Sequence, residues 1–325
     1  MAQATYGTHR AAPPQVDRDA LERVVAIING KGGVGKTTLT ANIAGLMALS
    51  GWRVLAVDLD RQGNLGRDLG YRFTNDDDEG TALAKALQFP EDRPRILRNV
   101  RPNLDVLTGG DALRPAEAAL ASKTSPAGIQ EAHLSLARIL APIADDYDLV
   151  LLDCPPSSDV IQSAAVAAAR YVVIPTKADA GGVDGLQITA DRFETVVGLN
   201  PSLDLLGVII FDSSQNSKKV RAGVAKDVEE ALGVEDAEPL IFKGFVSHSE
   251  RVPYETRKQG LLVHELNDQV KAEPKWYERL RAGKGKDETR QGPASARTVS
   301  ESMQEIAAEF RERLIAKEEE AAANV

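Results

Sequence analysis

A glycine-rich segment near the start of the chain has residue types that could bind phosphate. It reads GKGGVGKT and fits the pattern G-x-x-x-x-G-K-[ST], between an apolar run and a stretch with helical spacing. Glycines let backbone N–H groups face a phosphate, and the N-terminus of the following helix adds positive charge. The segment predicts a nucleotide phosphate loop formed by Gly30, Lys31, Gly32, Gly33, Val34, Gly35, Lys36 and Thr37.

The polar side chains of this loop can divide the work of binding a nucleotide. In loops of this pattern the lysine, here Lys36, reaches the β- and γ-phosphates, and the hydroxyl of the next residue, here Thr37, binds Mg²⁺. Lys31 is an additional lysine within the loop. It is either a solvent-exposed charge on a turn or a group that crosses to the nucleotide of a second subunit, as an arginine finger does.

Three aspartates follow apolar runs that read as strands. Asp58 and Asp153 end such runs, and Asp60 lies two residues beyond the first. Strand ends beside the phosphate-loop strand are where an open α/β sheet places its ligand crevice. Asp153 therefore suits a Mg²⁺ position. Asp58 and Asp60 either serve the same site or only cap the next helix.

The elements that must position these groups alternate along the chain. Short apolar runs rich in β-branched residues indicate strands buried on both faces: 24–29, 54–58, 104–108, 149–153, 171–176 and 205–211. Helical candidates lie at 36–50, 129–145, 157–169, 183–199 and 217–232. The alternation predicts an α/β fold with a doubly wound, mostly parallel sheet and helices on both faces. Residues 240–245 and 261–263 are candidate edge strands.

Charge and composition divide the chain into four parts. We expect a flexible arm at 1–20, an ATPase domain at 21–267, a basic and mobile insertion at 268–298, and a C-terminal helix with a frayed tail at 299–325. The helix carries an apolar stripe that should pack on the ATPase domain: Val299, Met303, Ile306, Phe310 and Leu314.

Composition excludes several classes of protein. The net charge of −9 argues against a protein that coats nucleic acid over its whole surface, although a local basic patch can still act. The single cysteine, Cys154, cannot build a disulfide framework or a zinc site. We find no secretory signal and no apolar run close to the ~20 residues of a membrane span, so we expect a cytoplasmic protein.

Three motifs in order resemble the ParA/MinD family of deviant Walker A ATPases. They are KGGVGKTT at 31–38, VLAVDLDRQGNL at 54–65 and LVLLDCPPS at 149–157. The resemblance implies a P-loop NTPase fold of the SIMIBI type, weak ATP hydrolysis with Mg²⁺, and a homodimer that forms with ATP. It is closest to the shorter, Soj-like ParA proteins of chromosome and plasmid partitioning.

The family's roles fall on individual residues of this sequence. Lys31 would act across the dimer, and Lys36 would hold the phosphates. Thr37 and Asp153 would hold Mg²⁺, Thr38 would contact the α-phosphate, and Asp60 would position the attacking water. In place of the family's usual proline after the second aspartate this chain has Arg61, which could alter hydrolysis.

Three functions compete within this resemblance. An iron-protein-like reductase would need two cysteines per subunit, and the chain has one. A MinD-like membrane ATPase would need a basic amphipathic helix at the C-terminus, but the helix at 299–317 is rich in glutamate. We therefore expect a ParA-like ATPase that binds DNA nonspecifically, associates with the nucleoid and is released when a ParB-like partner stimulates hydrolysis. MinD-like positioning of a protein cargo, or action at the membrane, is the alternative.

Basic residues of the C-terminal third could contact DNA phosphates without reading bases, with a salt-dependent affinity. A solvated charged surface is the alternative interpretation of these residues. The candidates are Lys218, Lys219, Arg221, Arg251, Arg257 and Lys258.

Overall fold

The computed structural model describes residues 16–89, 93–213, 218–272, 293 and 295–323. Eight strands of these residues form one sheet with the order β3-β4-β2-β5-β1-β6-β7-β8. They are β1 (Val24–Ile27), β2 (Val54–Asp58), β3 (Leu97–Arg101), β4 (Leu104–Leu107), β5 (Leu149–Asp153), β6 (Tyr171–Thr176), β7 (Asp204–Ser213) and β8 (Ile241–Ser247). All neighbouring strands are parallel except β3 and β4.

Helices cover both faces of the sheet, and the prediction of a doubly wound α/β fold is confirmed. They are α1 (Lys36–Leu49), α2 (Asn64–Asp68), α3 (Thr81–Gln88), α4 (Leu113–Ala121), α5 (Pro126–His133), α6 (Ser135–Ala144), α7 (Asp159–Ala168), α8 (Ala180–Val196), α9 (Lys218–Leu232), α10 (Arg251–Gln259), α11 (Val263–Ala272) and α12 (Ala296–Ala323). None of the helices in the described ranges is long and apolar enough to cross a membrane.

The central strands are buried along their whole length because helices lie on both sides. Every residue of β1, β2, β5 and β6 is buried. One apolar core joins this sheet to α3, α4, α6, α7, α8 and α9, and the other joins it to α1 and α12. β1 lies between β5 and β6, so the loop that follows β1 emerges at the middle of the sheet.

The C-terminal helix α12 spans the second face. Its five stripe residues at positions 299, 303, 306, 310 and 314 are at most 4% exposed. The helix contacts β8, α1 and α11. It therefore completes the core on the face where α1 lies.

Three local predictions are wrong. Residues 261–263 are not a strand: Gly260 ends α10 with a φ of 65°, and the Val263 N–H, at the start of α11, is taken by the Asn42 Oδ1 at 2.9 Å. The predicted helix at 129–145 is two helices, α5 and α6. Strand β3 was not predicted, because its exposed antiparallel edge position allows the charged sequence LRNVR.

Two of the expected domain boundaries fall within the described residues. In the arm expected at 1–20, the Arg18 guanidinium donates to the Ala167 and Leu199 carbonyls at 2.5 and 2.7 Å. The insertion expected at 268–298 begins inside α11, which continues to Ala272. Residues 1–15, 273–292 and 294 lie outside the described residues.

Helices α2 and α10 meet at their C-terminal ends through two glycines. Gly70 has a φ of 80°, and a Cβ there would lie 2.9 Å from the Gly260 carbonyl oxygen. Arg101 fixes the same junction, because its guanidinium donates to the Leu69 and Gly260 carbonyls at 3.1 and 2.9 Å. Glycine is required here for both conformation and space.

We predict that Gly70→Ala lowers the free energy of unfolding by about 2–3 kcal/mol, because it adds a steric clash to a left-handed backbone. Gly51→Ala is the matched control: φ is 96°, but nothing lies within 4 Å of the added Cβ. That control should lose only about 1 kcal/mol. Urea unfolding of both variants measures the difference, and equal losses would show that the Gly70–Gly260 contact has no energetic weight.

Candidate nucleotide-binding site

The loop between β1 and α1 has a backbone conformation that residues larger than glycine could not adopt without strain or steric clashes. Gly33 and Gly35 have φ values of 73° and 87°, in the left-handed region that favours glycine. A Cβ on Gly35 would lie 2.1 Å from the Phe211 ring, and a Cβ on Gly30 would lie 2.4 Å from Ile188. The glycine pattern of the sequence thus has a direct steric cause.

Asn29, which the sequence analysis did not select, holds the start of the loop. Its side chain is fully buried; its Oδ1 accepts from the Lys31 N–H at 2.7 Å, and its Nδ2 donates to the Pro175 carbonyl at 2.8 Å. The loop is thereby fixed to the end of β6. The sequence indicated this role only by placing an asparagine at the end of an apolar run.

Lys36 is buried at the centre of the site. Its ammonium donates to the Asn29 and Lys31 carbonyls at 3.0 and 2.8 Å, so the side chain curls back over the loop. Burial lowers the pKa of Lys36, while Asp153 and Asp60 act in the opposite direction. The arrangement keeps a positive charge beneath the loop, where phosphates would lie.

Lys31 points away from Lys36 toward the start of α8. Its ammonium forms an ion pair with the Asp179 Oδ1 at 2.9 Å, and both side chains are partly exposed. Such an exposed pair contributes only about 0–1 kcal/mol, so it can be exchanged for a stronger partner. Lys31 is therefore available to another charged group at modest cost.

Two buried carboxylates lie side by side where β2 and β5 end. Asp58 and Asp153 are neighbours in the strand register and are fully buried. Burial raises the pKa of Asp153 to about 7, and burial together with Asp153 raises the pKa of Asp58 well above its usual range. The Thr37 hydroxyl lies beside Asp153 and lowers its pKa.

The oxygens of Asp153 suit a cation. Neither of them has a hydrogen bond of ordinary geometry to any described residue, although both are buried. Buried polar atoms are normally paired, and in the described part of the chain this carboxylate has only the nearby Thr37 hydroxyl. A hydrated Mg²⁺ between Asp153 and Thr37 would supply a further partner.

Asp60 lies at the entrance of the segment that leads to α2. It is 8% exposed, and its Oδ1 accepts from the Gln62 N–H at 2.9 Å. Its own N–H donates to the Asp58 Oδ1 at 3.0 Å. The structure thus brings Lys36, Thr37, Asp58, Asp60 and Asp153 close together.

A cavity of about 310 Å³ adjoins the loop and has Gly33, Gly35 and Thr38 in its wall. Its opposite wall comes from the end of β7 and from α10. There one oxygen of Asp212 accepts from the Lys177 Nζ at 2.8 Å, and the other lies 2.7 Å from the His248 Nδ1. The cavity is large enough for part of a nucleotide and was not located from the sequence.

The six basic candidates for DNA contact lie on two helices, α9 and α10. Lys218 and Lys219 are exposed at the start of α9, and Arg251 and Lys258 are exposed on α10. The remaining two arginines have internal partners. The Arg221 guanidinium donates to the Phe242 and Ile241 carbonyls.

Arg257 is the second of these arginines. Its Nε lies 2.8 Å from the Asp68 Oδ1. Arg221 is largely engaged within the fold, with a side chain 16% exposed, whereas the Arg257 side chain is 43% exposed and stays a candidate DNA contact.

We predict that the protein without nucleotide or Mg²⁺ loses stability as pH rises. The folded state raises the pKa of Asp153 to about 7, so it favours the protonated carboxyl, and this contribution is lost as pH rises through the folded pKa. Between about pH 5 and about pH 8 the loss should be on the order of 2 kcal/mol.

Asp153→Asn should reduce that decline, because the amide stays neutral, while Asp58, whose pKa burial also raises, keeps its own contribution. Asp111→Asn is the control, since Arg114 lowers the pKa of this exposed carboxyl and keeps it charged over the same interval. Unfolding in chelator at several pH values measures both variants. If Asp153→Asn lost as much stability with rising pH as the wild type, the assignment of this pH dependence to Asp153 would be contradicted.

Comparison with known proteins agrees with this geometry. Residues 22–205 match a family model described as an AAA domain. The chain is 34% identical over 222 residues to the chromosome partitioning protein ParA of Myxococcus xanthus, covering 65% of this chain and 74% of that protein. It is 32% identical over 213 residues to the chromosome-partitioning ATPase Soj of Treponema pallidum, covering 65% and 79%.

Solved structures show the same fold. Cyanothece McdA without nucleotide superposes with a TM-score of 0.62 at 26% identity, covering 75% of this chain and 93% of that one. An aspartate-to-alanine variant of the same protein in complex with ATP gives 0.61 at 25% identity, covering 86% and 96%. The Pyrococcus furiosus cell division ATPase MinD shares the fold, with a TM-score of 0.55 at 20% identity, covering 90% and 99%.

The phosphate loop and the carboxylates at the ends of β2 and β5 lie within residues 22–205, the part of the chain that the family model matches. The chain belongs to the ParA/MinD family of P-loop ATPases.

Proposed function

We propose that this protein binds Mg·ATP at residues 30–38 and hydrolyses it to ADP and phosphate as a ParA-like partitioning ATPase. It dimerises with ATP, binds DNA nonspecifically, and is released when a ParB-like partner stimulates hydrolysis. The observation that carries the proposal is the buried Lys36, held under a glycine loop beside the buried Asp153, in a chain of the ParA/MinD family.

In this proposal the loop residues hold the triphosphate and its metal. Lys36 leaves its two carbonyl partners for the β- and γ-phosphates, and Thr38 contacts the α-phosphate. Thr37 and Asp153 hold Mg²⁺, which neutralises phosphate charge when bound. The ATP complex of Cyanothece McdA, a structural neighbour, supports a nucleotide at this loop.

Asp60 orients the attacking water in this proposal. It lies beyond the end of β2, beside the buried carboxylates and close enough to influence the pKa of Lys36. Its contact with the Gln62 N–H holds the carboxylate in a tight turn. The neighbouring Arg61 is exposed and takes the place of the family's proline, so partner contact at this turn should differ from that of the family.

Lys31 supplies the step that links ATP to assembly. In the single protomer it pairs with Asp179 across a partly exposed contact. In a dimer, ATP bound to the second protomer offers Lys31 several phosphate charges in place of the single carboxylate of Asp179. The lysine then completes its partner's site and stabilises the charge that develops during hydrolysis.

The exposed basic residues Lys218, Lys219, Arg251 and Lys258 are the proposed contacts to DNA phosphates. Arg251 and Lys258 flank the exposed Tyr254 on α10. Other residues of α10 line the cavity next to the loop. A surface of this kind binds the DNA backbone without reading sequence.

The alternative is a MinD-like ATPase that positions a protein cargo or acts at the membrane. A membrane-binding helix needs a free apolar face. In α12 that face is buried against β8, α1 and α11, which favours the partitioning function.

We predict that Lys31→Ala remains monomeric with Mg·ATP while the wild type becomes a dimer. The lysine supplies charge to the partner's nucleotide, and alanine cannot. Light scattering with size exclusion measures the mass, and Lys123→Ala, at an ion pair with Glu131, is the control. A dimer of Lys31→Ala with unchanged ATP dependence would refute the role across the interface.

We predict DNA binding that depends on ATP, weakens with salt and is independent of DNA sequence. Asp60→Ala should stay on DNA with ATP, because hydrolysis no longer releases it, whereas Lys36→Ala should show no ATP-dependent binding at all. Anisotropy with labelled DNA in ATP, ADP and no nucleotide provides the measurement. Equal DNA affinity in all three states would contradict the proposal, and ATP-dependent binding to liposomes would select the alternative function.

A further inference from the structure

Two exposed aromatic side chains with cations over their rings lie on α10 and on the turn that follows α2. Phe73 is 73% exposed and Tyr254 is 65% exposed. The guanidiniums of Arg67 and Arg72 lie 5.6 and 5.0 Å from the centroid of the Phe73 ring. The Lys258 ammonium lies 6.0 Å from the centroid of the Tyr254 ring. Each ring thus combines exposed apolar surface with adjacent positive charge.

The turn that carries Phe73 holds the ring in a fixed position. Its φ is 65°, in the left-handed region, which is uncommon for a bulky side chain. Asp77, whose side chain is 1% exposed, accepts from the Phe73 N–H at 3.2 Å and from the Arg72 Nη1 at 2.9 Å. Backbone of this kind persists only where the surrounding structure fixes it, and it is concentrated at functional sites.

The exposed face of α10 places Tyr254 between two cations. Arg251, Tyr254 and Lys258 are exposed and are spaced by about one helical turn, so their side chains share a face. One carboxylate lies near this face: Glu255, which accepts from the Gln259 Nε2 at 3.3 Å. Two cations and one carboxylate leave the face positive.

A continuous series of side chains connects the two rings. Arg257, three residues after Tyr254 and 43% exposed, forms an ion pair with Asp68 of α2, with 2.8 Å between Nε and Oδ1. Asp68 follows Arg67, whose guanidinium lies over the Phe73 ring. The aromatic side chains and the cations around them therefore belong to one part of the surface.

The combination of open rings and cations distinguishes between two forms of DNA. In a duplex the flat faces of the bases are covered by their neighbours, so only the cations of this surface would find partners, on the phosphates. In a single strand the base faces are open. They can stack on aromatic side chains while cations follow the backbone.

We infer that this surface, formed by Arg67, Phe73, Tyr254, Arg257 and Lys258, binds single-stranded DNA. Unpaired bases stack on the two rings, and the cations hold the phosphates. Every base has a flat face, so the binding is independent of sequence. The inference rests on the proposed DNA binding and adds the form of DNA that the surface selects.

The first test compares three labelled probes in Mg·ATP by fluorescence anisotropy: oligo(dT) of about 20 nucleotides, a duplex of the same length, and a strand of the same length without bases. The wild type should bind oligo(dT) most tightly. Phe73→Ala and Tyr254→Ala should each weaken oligo(dT) binding by about five- to tenfold, because a stacked base is lost. Binding of the other two probes should change by less than about twofold, since neither offers an open base face.

Matched variants separate stacking from charge and from changes in the fold. Phe73→Tyr and Tyr254→Phe keep an aromatic ring and should keep the affinity for oligo(dT). Lys258→Gln should weaken all three probes and reduce their salt dependence, because it removes a phosphate contact. Phe89→Ala, at a side chain 57% exposed at the end of α3, is the control and should leave all three affinities unchanged.

Three results would overturn the inference: a wild type that prefers the duplex, alanine variants that bind oligo(dT) as the wild type does, or equal losses for all three probes. Loss of the ATP-dependent dimer in both alanine variants would assign the rings to a second copy of the chain, and would also overturn it. A wild type that binds no DNA of either form with ATP would instead refute the proposed function. The two failures are therefore distinguishable.

Discussion

The site depends on one constraint, which is that several charged side chains are buried at the same edge of the sheet. Lys36, Asp58 and Asp153 are all buried where parallel strands end, and isolated charges are costly in such a place. The protein meets part of that cost with backbone carbonyls for the lysine and with raised pKa values for the aspartates. The Asp153 oxygens still need a partner, and a bound cation would supply one.

The rest of the fold holds this edge at a fixed geometry. Asn29 fixes the loop to β6, and α8 packs so closely that Gly30 and Gly185 have no space for side chains. On the other side, Asn42 connects α1 to the start of α11. Elements far apart in sequence therefore meet at a loop of nine residues.

The sequence revealed those parts of the fold whose physics is local or periodic. Strands β1, β2, β5 and β6 were predictable because burial on both faces demands continuous apolar residues, and the loop was predictable because its backbone demands glycine. The edge strand β3 was not, since an exposed edge permits charged residues. Partners distant in sequence were also hidden: the composition around Arg221 and Arg257 suggested a basic surface, yet each guanidinium binds groups that only the fold brings near. Asn29 and Asp68 act through such contacts as well.

The position of α12 has a consequence for how the chain is made. Its buried stripe closes the core over α1 and β8, so the helix that follows the phosphate loop lacks its cover until α12 has left the ribosome. Domains generally fold as units during synthesis, and exposed apolar surface favours aggregation. The apolar face of α1 therefore stays exposed in the nascent chain until synthesis of α12 is complete.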